Sequence, residues 1–165
     1  MLHIAPEHCF ISKFEALSNL EYITGDIESP LAKVKMDIHE IPFDESSFDV
    51  IFCNHVLEHV DDDIKAMSEI NRVLKPGGWA ILQIPLFYPL SDVTTEDLSI
   101  TDPRKREELF GQDDHVRKYG KDFPLRIQKA GLHVKEEKLI FELDEEEKER
   151  YALPKEEIIY RAVKV

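Results

Sequence analysis

The sequence predicts a three-layer α/β fold in which a mostly parallel sheet is covered by helices on both faces. Three observations predict it. Short apolar runs alternate with helix-periodic segments along nearly the whole chain, the pattern of successive βαβ units. The run Phe48-Asp49-Val50-Ile51-Phe52-Cys53 is apolar at nearly every position, as a strand buried on both faces requires. After it, Ile64, Met67, Ile70, Val73 and Leu74 form one apolar helical stripe that stops at Lys75-Pro76-Gly77-Gly78. At 165 residues, one domain over residues 1–165 accommodates all of this around a single core.

The elements follow in order. Leu2–Ala5 is a short apolar strand, and Glu7–Leu17 is a helix with Phe10, Phe14 and Leu17 on one face. Tyr22–Thr24 is a second strand closing on Gly25-Asp26, and Val34–Ile38 a third that runs into the turn Glu40-Ile41-Pro42-Phe43. Phe48–Cys53 is the fourth. Asp61 or Asp62 caps the striped helix, and Trp79–Ile84 is a fifth strand stopped by Pro85. Leu86–Asp102 is irregular and longer than compact domains keep without a functional reason. Pro103–Phe110 is a short helix capped by Asp102 and ended by Gly111, and Asp122–Ala130 another ended by Gly131. Leu132–Phe141 and Ile158–Val165 supply two late strands, making seven; between them Asp144-Glu145-Glu146-Glu147 begins a solvated helix.

Composition narrows the function. Apolar residues make up 42% of the chain and charged residues 33%, an ordinary globular balance. No apolar run approaches the roughly 20 residues that span a bilayer. The start MLHIAPEHCF has neither the basic region nor the cleavage site of a secretion signal, so the expected location is cytoplasmic. A formal net charge of -13 repels phosphate backbones and anionic lipid heads, which argues against nucleic acid and membrane partners and for a small-molecule or protein acceptor, the small molecule being the expected one. Cys9 and Cys53 form no CxxC and cannot alone build a zinc cage, so both are expected reduced and no metal is expected.

The most specific stretch is FDVIFCNHVLEHVDDDIKAMSEINRVLKPGGWAIL, preceded by MDIHEIPFDESSFD. It resembles the fourth strand, following helix and fifth strand of class I S-adenosylmethionine-dependent methyltransferases, in particular the small-molecule, type 11-like group, with its F-D-x-V strand, V-L-E-H turn and R-V-L-K-P-G-G helix end. The resemblance implies a Rossmann-like sandwich with a seven-stranded sheet in the order 3-2-1-4-5-7-6 and one antiparallel late strand. It also implies an N-terminally truncated form, since helices usually precede the first strand. A sheet bare of them would leave apolar surface for a second copy, so a homo-oligomer is a further expectation.

Ligands of open parallel sheets settle beyond the carboxyl ends of the strands, where strand order reverses. Those ends carry Ala5-Pro6-Glu7, Asp26, Asp37-Ile38 and Asn54-His55, which are the candidate S-adenosyl-L-methionine-binding residues. Asp26 stands 19 residues after Glu7, a spacing that suits a carboxylate accepting the ribose hydroxyls; a solvated turn aspartate is the plainer alternative. By resemblance Asp37 accepts from the adenine amine with Ile38 packed on the ring, or else Asp37 is a strand-end cap. Asn54 and His55 would line the methionyl part. Methyl transfer asks mainly for alignment and dehydration, with a base only if the acceptor loses a proton. His59 and His115 are the candidate bases, each with a plain structural alternative. In the segment Asp113–Gly120, Arg117 is expected to pair an acidic acceptor and Tyr119 to wall it, or the segment is a structural loop.

Two features pull the other way. The family's glycine-rich first loop is replaced by Leu2-His3-Ile4-Ala5-Pro6-Glu7, with no glycine before Gly25. Glu7 pairing with the cofactor's ammonium group is one accommodation. The alternative is a Rossmann-like binding or scaffold domain without catalysis. Separately, His55-Val56-Leu57-Glu58-His59 spells H-x-x-E-H, an inverted zinc-protease signature, but that chemistry needs both histidines on one helix face and the helix here is expected to begin after Val60.

Overall fold

The structure, a computed structural model, describes residues 1–154 and 156–165. Its strands are β1 (Leu2–Ile4), β2 (Ile23–Asp26), β3 (Val34–Lys35), β4 (Phe48–Asn54), β5 (Leu74–Gln83), β6 (Thr95–Glu96), β7 (Arg117–Lys118), β8 (His133–Glu137) and β9 (Ile159–Val163). Its helices are α1 (His8–Glu15), α2 (Asp63–Val73), α3 (Pro103–Phe110), α4 (Phe123–Lys129) and α5 (Glu145–Arg150). Seven strands form one sheet in the order β3-β2-β1-β4-β5-β9-β8, the expected 3-2-1-4-5-7-6. All neighbours from β3 to β5 are parallel, while β9 is antiparallel to both β5 and β8, so β9 is the one reversed strand.

Strand alternation builds the layers. Leu2, Ile4, Ile51 and Cys53 point to one face and pack in a common core with Ala66, Met67, Ile70 and Val73 of α2 and Phe123 and Ile127 of α4. His3 and Phe52 point to the other face and meet Phe14 of α1, the ring centroids 6.0 and 5.4 Å apart. Asp62 caps α2 by accepting from the Lys65 amide at 2.9 Å. Asp102 and a left-handed Gly111 bound α3, and a reciprocal Asp144–Glu147 capping box starts α5.

Several boundaries depart from expectation. Leu17 lies beyond α1 and is exposed, because the helix closes at Ala16. The chain leaves β3 early, and Asp37 and Glu40 form an isolated bridge where strand was expected. Lys75-Pro76-Gly77-Gly78 does not separate α2 from the fifth strand: Leu74 already pairs with Phe48, and the register slips before Val50 meets Trp79. A Cβ on Gly78 would sit 3.0 Å or closer to the Asp49 and Lys75 carbonyls, so the irregularity needs glycine. In the long loop β6 pairs with β7 as a separate antiparallel ribbon. The expected strand Leu132–Phe141 ends at Glu137 and turns into a 3₁₀ helix over Leu139–Phe141. No helix among the described residues is long and apolar enough to cross a membrane.

Candidate active site

Strand order reverses between β1 and β4, and a cleft of about 410 Å³ opens beyond their carboxyl ends. Its walls are mainly apolar, from Ile4, Ile27, Met36, Ile38, Val56 and Val60, with Ala5, Asp26, Asp37, His55 and His59 among the other lining residues. Two of these hold left-handed backbone without being glycine: Ala5 at φ 50 and His55 at φ 52. Ladder bonds hold them there, since Ala5 N–H donates to the Gly25 carbonyl at 2.9 Å and His55 N–H to that of Gln83 at 2.8 Å. Strained residues on both sides of a strand-order switch mark a site whose shape the fold imposes.

The two carboxylates are organised by their own loops. Asp26 Oδ1 accepts from the amides of Glu28 and Ser29 at 2.7 and 2.6 Å. Asp37 Oδ1 accepts from the His39 amide at 2.8 Å and faces His39 Nδ1 at 2.7 Å. The His39 amide, more than any other cause, holds the Asp37 carboxyl below its ordinary range. Both positions are thus turn aspartates that also line the cleft.

A second cleft, of about 290 Å³, lies against β4 and β5 and is lined by Glu7, Asn54, His55, Ile81, Gln83, Glu157 and Ile159. Asn54 Nδ2 donates to Glu7 Oε1 at 2.8 Å, and the other Glu7 oxygen pairs with His3 Nε2. His3 is fully buried, its Nδ1 2.7 Å from the Tyr22 hydroxyl. The histidine on β1 therefore fixes an acid that stands four residues further on. Gln83 donates to the Ile158 carbonyl at 3.0 Å and pairs with Glu157, whose carboxyl is pushed up by burial. Asn54 Oδ1 and Gln83 Oε1 are buried acceptors with no partner among the described residues. Pro6 is buried and lines neither cleft. Gln83 and Glu157 were not anticipated; a polar residue closing the apolar run of β5 was the signal available for Gln83.

The acceptor side needs correction. Arg117 and Tyr119 are each 1% exposed and line neither cleft. Arg117 donates to the carbonyls of Leu57 and Asp61, at 2.5 and 2.9 Å, and to that of Val60. Its Nε bonds Glu96 at 3.1 Å. The Tyr119 hydroxyl donates to Asp63 at 2.9 Å. With their polar atoms engaged inside the protein, both are positioning residues that brace the turn between β4 and α2. Of the two candidate bases only His59 reaches the cleft; His115 is buried behind it, ring centroids 4.7 Å apart.

The H-x-x-E-H letters fall in a turn, since β4 ends at Asn54 and α2 starts at Asp63. His55 and His59 are therefore not paired on a helix face as the protease signature requires. The spatial partner of His59 is instead His115: one ligand atom from each of Glu58, His59 and His115 lies within 4.8 Å of the others.

Residues 14–82 match the family model of the methyltransferase domain. A tRNA U34 carboxymethyltransferase of Nautilia profundicola is 39% identical over 77 residues, which cover 47% of this chain and 24% of that protein. A demethylmenaquinone methyltransferase of Staphylococcus carnosus is 36% identical over 69 residues, again covering 24% of the relative. The chain thus matches about a quarter of the length of these curated relatives. Among solved structures, the 1,6-didemethyltoxoflavin-N1-methyltransferase of Burkholderia thailandensis, bound to S-adenosylhomocysteine, superposes with a TM-score of 0.62 at 12% identity. That alignment covers 99% of this chain and 70% of the enzyme, and it shows a shared fold.

Proposed function

We propose that the chain is a class I S-adenosylmethionine-dependent methyltransferase, a reading supported by the family-model match over residues 14–82, and that it binds S-adenosylmethionine across the two clefts and transfers its methyl group to a small-molecule acceptor. The observation that carries the reading is the convergence of Ala5, Asp26, Asp37, Ile38 and His55, from four different strand ends, on one apolar cleft of a size usual for small ligands.

The residues present fit that cofactor. In the larger cleft Ile38 and the other aliphatic walls suit an adenine ring, and Asp26 and Asp37 are acceptors for ribose hydroxyls and an exocyclic amine. In the smaller cleft Glu7, Glu157 and the orphaned oxygens of Asn54 and Gln83 form an acceptor-rich wall. An ammonium group is the donor such a wall lacks, and its charge would relieve the penalty that burial places on Glu157. When bound, the cofactor supplies a methyl group already activated by the sulfonium. What remains for the chain is alignment and exclusion of water. The left-handed Ala5 lets the first loop keep a glycine-like path despite carrying no glycine. The Arg117 brace holds the His55–Asp61 turn that lines the cleft.

A small acceptor is favoured over nucleic acid by the net charge of -13, although one relative is named for tRNA. A thermal-shift titration tests the reading. S-adenosylmethionine and S-adenosylhomocysteine should both raise the melting temperature, and Asp37→Ala should weaken the effect at least tenfold in ligand concentration. No shift at millimolar ligand favours the scaffold alternative, for which the glycine-free first loop is the specific observation.

A further inference from the structure

The turn after β4 assembles side chains whose arrangement cofactor binding does not explain. Glu58 is 1% exposed, and its Oε2 has no hydrogen-bond partner among the described residues. A buried carboxylate oxygen left without a donor is costly unless a cation or proton meets it. His55 Nδ1 lies 3.3 Å from the other Glu58 oxygen, Oε1, and two further imidazoles stand close with their lone pairs already sorted. His115 Nδ1 lies 3.1 Å from the Phe110 carbonyl, an acceptor only, so Nδ1 carries the proton and Nε2 the lone pair. His59 Nδ1 lies 3.1 Å from Asp114 Oδ2, which selects the same tautomer, and His59 Nε2 lies 4.0 Å from Glu58 Oε1. A backbone carbonyl behind one histidine and a carboxylate behind the other are the outer contacts that orient metal-binding imidazoles.

We propose that Glu58, His59 and His115 bind a divalent transition-metal cation, of which Zn²⁺ is the natural probe. Two imidazole nitrogens and one carboxylate are a three-ligand set that leaves a coordination position open, and nitrogen-rich sites favour transition ions over Mg²⁺ or Ca²⁺. Ligand atoms on a tetrahedral Zn²⁺ stand about 3.4 Å apart, given bond lengths near 2.1 Å. The outermost atoms here, within 4.8 Å of one another, must therefore close by up to about 1.4 Å. Rotation of His59, whose side chain is 31% exposed, is the available adjustment. His59 belongs to both the cluster and the cofactor cleft, which puts the cation at the cleft's border. With its lone pair on the metal, His59 is not a base, and an acceptor proton would instead be loosened by coordination of its oxygen to the cation. The site stands whether or not the chain transfers methyl groups, and its test needs no S-adenosylmethionine.

Chelator-stripped protein is titrated with Zn²⁺ against a chromophoric competitor, and with Co²⁺ while the visible d–d bands are followed. One ion should bind per chain. Glu58→Gln and His115→Ala should each weaken Zn²⁺ at least 30-fold, and His133→Ala on distant β8 should not change it. Should the substitutions unfold the protein, long-range ¹H–¹⁵N spectra of the wild-type histidines give the same answer. Zn²⁺ should shift Nε2 of His59 and His115 while both keep Nδ1–H. Absence of binding at micromolar Zn²⁺, or binding lost in His55→Ala but intact in His115→Ala, overturns the assignment.

Discussion

At the scale of single residues, Ala5 explains how a loop without glycine keeps the backbone path that a bound nucleotide needs. Left-handed backbone costs a residue with a Cβ about 1–2 kcal/mol, and glycine avoids that cost while loosening the unfolded chain by about 0.4–1 kcal/mol. Ala5→Gly should therefore stabilise the protein by roughly 0.5–1 kcal/mol, read as a higher urea midpoint at unchanged slope. Destabilisation would mean that the Ala5 methyl packs more than its backbone strains. That Ala5 stands at a strand end bordering the cleft was legible in the sequence; that it adopts φ 50 was not, because alanine gives no sign of left-handed geometry. Arg117 and Tyr119 were misread for a related reason. An arginine and a tyrosine in a polar loop look accessible in one dimension, and only the fold reveals carbonyls of a turn 56 to 62 residues earlier as their acceptors.

At the scale of elements, the N-terminus of α2 is the joint between the sheet and the ribbon formed by β6 and β7. Asp63 there is 1% exposed and meets Arg126 of α4 at 2.6 Å and the Tyr119 hydroxyl at 2.9 Å. Burial pushes the Asp63 carboxyl up, but Arg126 and Arg117 outweigh it and hold the group below its ordinary range. A folded-state value depressed in this way contributes stability that is complete above the unfolded value of about 3.9. It is lost as pH falls through the depressed one. Asp63→Asn should thus cost about 3 kcal/mol near neutral pH, by leaving buried guanidinium groups short of a charge, and the difference from wild type should shrink below about pH 4. A mutant deficit that stays constant to pH 2 would contradict this. Strands β1, β2, β4, β5 and β9 were legible because apolar runs and turn residues coincide there. The pairing of β6 with β7 was not, since each contributes only two residues and no periodicity can form.

At the scale of the whole molecule, the run from Phe48 to Ile84 carried the resemblance to a methyltransferase domain, and that resemblance supplied the strand order, which periodicity alone does not encode. The candidate site followed from the rule that ligands gather where strand order reverses, and a cleft lies there. What the sequence hid were contacts across the fold: His3 holding Glu7, the orphaned oxygens of Asn54 and Gln83, and the approach of His115 to His59. Each depends on a side-chain direction set by packing. The account stands or falls on a single nucleotide site at the ends of β1, β2, β3 and β4. A ¹H–¹⁵N titration of the wild-type chain with S-adenosylhomocysteine measures that directly. The account predicts saturable shifts concentrated at the amides of Ala5, Asp26, Ile38 and His55. Spectra unchanged at millimolar ligand, or shifts centred on another part of the surface, would contradict it.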